Sequence, residues 1–316
     1  MTHDAPATAT PDRSATPDRS AAPDRAVTLV IGATGTTGSR TSARLVAEGH
    51  AVRAGSRGAT PVPGAEPVAF DWYEPASHAG ALHGADRVYV VPPVGDPDPA
   101  RVVLPFLRRA RAQGVRRAVL LSASSVPEGG PAVGRVHRAL PGIFDEWAVL
   151  RPSWFMQNFT GDHLHADGIR RHGELLTAAG DGRVGFVDAD DIAAVAVRAL
   201  TDLRAPCTDL VLTGPEALSH DEVAAVLAEA TGRPVAHRRL SREALRERLA
   251  ALMPPEFAGL LADMDLAIAA GAEDRVTDCV RRLTGRPPNG LRAVVARELD
   301  LPPAPASAQA GPAAAE

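Results

Sequence analysis

The apolar positions of this chain fall into two rhythms that alternate along it. Short runs of apolar and β-branched residues occur at Val27–Ile31, Ala51–Ser56, Pro67–Phe70, Arg87–Val91, Ala118–Ser122 and Trp147–Arg151. Helical spacing fills the intervals, most clearly at Thr41–Glu48 and Ala100–Gln113. Strands that read as near-continuous apolar runs are buried on both faces, and strands alternating with helices pair in parallel. The pattern therefore predicts an α/β, doubly wound parallel sheet over residues 26–152, completed by parts of 183–213.

The second half is less regular, and residues 153–300 read as a smaller, mainly helical region interleaved with the first. Asp190 or Asp191 is the expected N-cap of a helix running through Leu200. Ser219, with Glu222 three residues on, forms a capping box for a helix at Asp221–Ala230 that Gly232 ends. From Leu240 to Ala270 two helical stretches are broken by Pro254-Pro255. Their many apolar residues, Leu249, Leu252, Phe257, Leu260 and Leu261 among them, either pack over the molecule or form a lid over a pocket. Residues 1–25, in which Pro-Asp-Arg recurs at 11–13, 17–19 and 23–25, and residues 301–316 have little apolar surface to bury and read as disordered tails.

The first strand runs into Gly32-Ala-Thr34-Gly35-Thr36-Thr37-Gly38. A buried strand, a glycine turn and a helix start, in that order, suit a dinucleotide pyrophosphate: glycine lets the backbone approach the phosphates, and the free amides of the first helical turn meet their charge. The sheet is thus expected to be of Rossmann type, with its ligand beyond the carboxyl ends of the strands at Gly32, Ser56, Asp71, Pro92 and Ser122. An acid about twenty residues past the glycines would select NAD, but the second strand ends Ser56-Arg57. A hydroxyl followed by a permanently charged, bidentate guanidinium suits a 2′-phosphate, so the expected cofactor is NADP(H).

Composition narrows the chemistry further. A net charge of −4 and a pI near 6.2 give no electrostatic case for nucleic acid or an anionic membrane, and a small-molecule substrate is expected instead. Cys207 and Cys279 are the only cysteines and read as reduced thiols of a cytoplasmic protein. No apolar run reaches bilayer length. Most decisively, the chain contains no lysine at all, so every mechanism that needs an ammonium side chain is excluded.

Gly32–Gly38, Arg53-Ala-Gly-Ser-Arg57, Phe70-Asp71-Trp72, Tyr89-Val-Val-Pro92-Pro93, Leu120-Leu-Ser-Ala-Ser124 and Leu150-Arg-Pro-Ser-Trp-Phe-Met-Gln-Asn-Phe159 together resemble the NmrA-like branch of the atypical short-chain dehydrogenases/reductases. The last of these and Leu212-Thr-Gly-Pro-Glu-Ala-Leu-Ser219 are most similar to the ergot-alkaloid, festuclavine dehydrogenase-like subgroup. The resemblance spans roughly residues 27–300. It implies a dinucleotide across Gly32–Gly38, bordered by Asp71, Trp72, Pro92 and Pro93, with Ser122, Pro152 and Trp154–Phe155 near its nicotinamide end.

The wider superfamily protonates carbonyl oxygens with a Tyr whose pKa a Lys lowers. Here that pair is missing, and Tyr73 and Tyr89 lie outside the expected region. Hydride delivery to an iminium needs no acid; a quinone or activated C=C could take a proton from water, His137 or Ser124. Ser122 and Ser124 follow the fifth strand, and His137 can hold a proton near neutral pH. Asp162-His163-Leu164-His165 is not expected to bind metal, since two helical residues so spaced face nearly opposite ways and no third ligand is evident. Trp154, Phe155, Met156, Asn158 and Phe159 are the expected pocket walls. The resulting expectation is an NADP(H)-dependent reductase of specialised metabolism acting on an apolar or polycyclic acceptor. A redox-sensing NADP(H)-binding regulator and a non-redox cyclase or epimerase are the alternatives.

Overall fold

The computed structural model describes residues 26–301, so the expected tails lie outside the described residues apart from Leu301. Along the chain come β1 (Val27–Ile31), α1 (Thr36–Ala47), β2 (Ala51–Ser56), β3 (Glu66–Ala69), α2 (Pro75–Leu82), β4 (Arg87–Val90), α3 (Ala100–Ala112), β5 (Arg117–Leu121), α4 (Gly134–Ala139) and β6 (Glu146–Pro152). Then follow α5 (Leu164–His172), β7 (Glu174–Thr177), β8 (Arg183–Val184), α6 (Ala189–Thr201), β9 (Thr208–Leu212), β10 (Leu218–Ser219), α7 (His220–Thr231) and β11 (Ala236–Arg239). The chain closes with α8 (Arg242–Ala250), α9 (Pro255–Ala269), α10 (Cys279–Thr284) and α11 (Leu291–Glu298).

Seven strands form one sheet in the order β3-β2-β1-β4-β5-β6-β9, every neighbouring pair parallel. The strand order reverses between β1 and β4, and a crevice opens there at the carboxyl ends, where dinucleotides bind in such folds. The central strands are buried on both faces, as their unbroken apolar runs require. One face packs Phe106, Leu107, Leu82 and Val136 from α2, α3 and α4; the other packs Leu45, Ile192, Val195 and Leu200 from α1 and α6. Each such side chain, fully buried, contributes about 1.5–3 kcal/mol. A third core, of Leu175, Phe186, Val223, Leu227 and Val294, holds the C-terminal half together.

Two helix starts differ from expectation. The first helix begins at Thr36, not Thr41, because Gly35 serves as its N-cap and Ser39 N–H donates to the Gly35 carbonyl at 3.0 Å. The poor helix formers Thr36, Thr37 and Gly38 thus form its first turn, which places its unpaired amides directly at the crevice. The N-cap of α6 is Asp188, whose carboxylate accepts from Asp190 N–H, instead of Asp190 or Asp191. At α7 the Ser219–Glu222 capping box forms in full and Gly232 closes the helix at φ +66°.

Candidate functional site

The glycine turn has the shape a pyrophosphate cradle needs. Gly32 sits at φ +70°, and a Cβ on Gly38 would lie 2.1 Å from the Gly32 carbonyl oxygen, so strand end and helix start touch backbone to backbone. Thr34, Gly35 and Thr36 are exposed at the mouth, whereas Thr37 is buried beneath it. At the end of β2, Ser56 Oγ accepts from Thr60 N–H at 2.8 Å and shapes the loop that carries Arg57. Arg57 is exposed, and none of the ion pairs among the described residues involves it. A free guanidinium beside an open amide-lined turn fits a 2′-phosphate dinucleotide.

Trp72 is anchored from within the sheet's core. It is buried in an edge-on cluster with Phe70 and Phe106, and its indole N–H donates to the Val91 carbonyl at 3.0 Å. It therefore fixes the end of β4, and with it Pro92 and Pro93, from below. Asp71 holds the preceding turn by accepting from Tyr73 N–H at 2.9 Å.

Beyond β5 and β6 lies a cavity of about 290 Å³, lined chiefly by Ser122, Ser124, Pro152, Trp154, Phe155 and Asn158. Its serines are held by β6: Ser122 N–H donates to the Leu150 carbonyl and Ser124 N–H to the Pro152 carbonyl. Trp154 and Phe155 are fixed by a short parallel bridge to Val187. The Ser122 hydroxyl is buried without a partner, an unpaired group that a bound ligand can satisfy. Ser124 Oγ donates to Glu273 at 2.7 Å, and Ser153 Oγ lies 3.4 Å from the same carboxylate oxygen. Glu273, only 3% exposed, is joined by Arg275 at 3.5 Å. Because the Ser124 proton is committed to Glu273, its oxygen offers lone pairs to any other group it meets. Glu273 reaches the site from the turn after α9 and carries no local motif.

A second cavity, of about 300 Å³, shares Trp154 with the first. Leu176, Leu245, Leu249 and Leu261 give it apolar walls, and Asp265 is buried within it. Leu245 and Leu249 of α8 and Leu261 and Asp265 of α9 line the second cavity, while Met264 lines the first.

Burial raises the Asp265 carboxyl to about 6, opposed only by the Ala178 amide that donates to it at 2.8 Å. The folded state thus holds this proton more tightly than the unfolded one. The associated stability is present below about pH 4 and is lost as pH rises through 6, on the order of 2–3 kcal/mol. Asp265→Asn keeps a carbonyl for Ala178 and is expected to raise Tm by roughly 5 °C at pH 8, with the difference vanishing near pH 4. Thermal unfolding of both proteins across that range checks it.

Several expected residues do not converge here. His137, on α4, is 3% exposed and lines neither cavity. Burial lowers its pKa, opposed by Asp209 and Glu128, which disfavours the protonated imidazolium. Met156 and Phe159 belong to the third core instead of lining a cavity. Tyr89 is fully buried and Tyr73 donates to Asp96 at 2.7 Å, so neither phenol lines a cavity. His163 lies outside α5 as its N-cap, and its ring centroid is 4.9 Å from that of His165; the two rings are neighbours, not on opposite faces. Asp188, Asp190 and Glu298 gather within metal-binding distance, but arginines already compensate them. Arg297 lies 3.0 Å from Asp188 and 3.2 Å from Asp190, and Arg40 of α1 lies 2.7 Å from Glu298. Burial pushes Asp188 up, yet hydrogen bonds from Arg297, Gln157, the Asp190 amide and Asn289 outweigh it and hold the carboxyl below its ordinary value. The cluster clamps the glycine helix to the C-terminal segment.

Comparison with known proteins agrees with this geometry. A family model described as NAD(P)H-binding matches residues 32–203. An uncharacterised oxidoreductase of Bacillus subtilis (strain 168) is 47% identical over 83% of this chain and 92% of its own length. Festuclavine synthase II of Penicillium roqueforti (strain FM164) is 36% identical over 85% of this chain and 97% of its own. The crystal structure of an NADPH-dependent quinone oxidoreductase from Escherichia coli, complexed with NADPH, superposes with a TM-score of 0.73 over 86% of this chain and 99% of that one, at 22% identity, a likeness of fold. No helix among the described residues is long and apolar enough to cross a membrane. The chain belongs to the NAD(P)H-binding, NmrA-like branch of the atypical short-chain dehydrogenases/reductases, in the subgroup of the ergot-alkaloid dehydrogenases.

Proposed function

We propose that this protein is an NADP(H)-dependent reductase that delivers hydride to an apolar acceptor, an iminium in preference to a quinone or activated C=C. The observation that carries the reading is the pair of cavities sharing Trp154. One borders the strand ends where the far end of a dinucleotide lies in this fold, and the other offers apolar walls for the body of an acceptor.

When bound, the dinucleotide supplies the hydride. Arg57 would hold the 2′-phosphate and so select NADP(H) over NAD(H), while the amides at Thr36 to Gly38 would hold the pyrophosphate. The buried, unpartnered Ser122 hydroxyl would hydrogen-bond the carboxamide end, and Trp154 would offer an aromatic wall to a planar acceptor. The preference for an iminium comes from Glu273. With the Ser124 proton directed at that carboxylate, Ser124 Oγ presents negative potential to the cavity and favours a cationic acceptor. Reduction of an iminium leaves a neutral amine and requires no proton donor, which agrees with a chain without the Tyr/Lys pair.

Glu273→Gln keeps the size and hydrogen bonds of the side chain but removes its charge. It is expected to lower kcat/KM for an iminium about tenfold while changing a neutral quinone by less than about twofold. The test of the reading as a whole is loss of NADPH absorbance with a panel of iminium salts, quinones and enones. Turnover of the iminium salts supports it; tight binding of both NADPH and NADP⁺ without turnover of any acceptor would replace it with a redox-sensing role.

A further inference from the structure

We propose that the apolar cavity beside Trp154 is a site for an organic cation: an apolar ligand whose basic nitrogen seats on Asp265. Asp265 is a charge that the fold itself does not explain. It is 9% exposed, and its one hydrogen bond comes from the Ala178 amide, a bond that an asparagine or serine oxygen would accept equally well. Among the described residues no guanidinium or imidazole pairs with it. The nearby imidazoles supply no counter-charge either, because burial lowers the pKa of His163 and, further, of His165. Burying an unpaired carboxylate is costly unless a cation meets it, so a group of this kind in the wall of an apolar cavity marks a complementary ligand. Arg171 and Arg248 also line the cavity, but both are exposed at its rim, where water screens them. The aromatic face of Trp154 adds cation–π attraction from within.

The nitrogen so held is not the atom that is reduced. Ser122 and Ser124 line the other cavity, which shares Trp154 with this one, so a ligand spanning both has its basic nitrogen at Asp265 and its reducible bond at the serines. This rests on the reductase reading only in taking the ligand to be the acceptor. The substrate class is then an extended, largely apolar amine with its reducible bond at one end and its basic nitrogen at the other.

The probes are 2-naphthylmethylamine and its neutral isostere 2-naphthylmethanol, titrated into the full-length protein saturated with NADP⁺ at pH 8 and followed by calorimetry. The wild type is expected to bind the amine at least about tenfold more tightly than the alcohol. Asp265→Asn retains the bond to Ala178 and should abolish that preference while leaving the alcohol within about twofold. Leu261→Trp, one helical turn from Asp265, keeps the carboxylate but fills the cavity beside it and should weaken both probes. Equal binding of amine and alcohol by the wild type, a preference that survives in Asp265→Asn, or undiminished binding in Leu261→Trp would each overturn the proposal. Since no turnover enters the measurement, failure of hydride transfer and failure of cation binding are read separately.

Discussion

Replacing Gly38 by alanine is expected to raise the Kd for NADPH by about a hundredfold or more, as read by fluorescence titration. The new Cβ would lie 2.1 Å from the Gly32 carbonyl oxygen, 2.7 Å from its carbonyl carbon and 3.1 Å from the Ala33 Cα. All three are backbone atoms, so no side-chain rotation relieves the clash. Either β1 and α1 separate, or the turn at Gly32, already at φ +70°, changes its path. Both outcomes move the first-turn amides away from the pyrophosphate. Each face of the sheet has its own core, so the variant should still fold, and NADH binding should fall with NADPH because the pyrophosphate is common to both. Loss confined to NADPH would contradict this account of the turn.

Arg57→Ala produces the complementary pattern. Its guanidinium is exposed, and no ion pair among the described residues includes it, so removing it should not disturb the fold. A charge-assisted, bidentate contact with a phosphate contributes about 1.5–3 kcal/mol, which predicts a tenfold to hundredfold rise in Kd for NADPH. NADH, which has no 2′-phosphate, should be affected by less than about threefold. Raising ionic strength should narrow the wild-type gap between the cofactors and leave the variant nearly unmoved. Equal losses for NADPH and NADH would show that Ser56-Arg57 does not read the 2′-phosphate.

The parts of this site that were legible in the sequence are those built from neighbouring residues. Strand, glycine turn and helix start are contiguous from Val27 to Gly38, and the residues at the ends of β2 and β5 follow their strands directly. Even there the first helix started earlier than its composition suggested, because tertiary placement of the turn outweighed the low propensity of Thr-Thr-Gly. The acid network was less legible. The N-cap could be narrowed to a run of aspartates, but only the bonds from Arg297, Gln157 and Asn289 single out Asp188. Glu273 and Asp265 were not legible at all. Glu273 meets Ser124 across 149 positions and Asp265 meets Ala178 across 87, so nothing near either one signals a role. His137 stood among the candidate acids by its place in the sequence, whereas α4 buries it away from the linings of both cavities.

The central claim is hydride transfer to a cationic, apolar acceptor, and stereospecific isotope transfer tests it most directly. The protein is incubated with N-methyl-3,4-dihydroisoquinolinium and, in parallel, with (4R)- or (4S)-deuterated NADPH, and the amine product is examined by mass spectrometry. One of the two labelled cofactors should deliver its deuterium to C1 of the product and the other should not, because a fixed Trp154 and an ordered cleft present a single face of the ring. No labelled amine from either cofactor, with NADPH and NADP⁺ both bound tightly, would contradict the account.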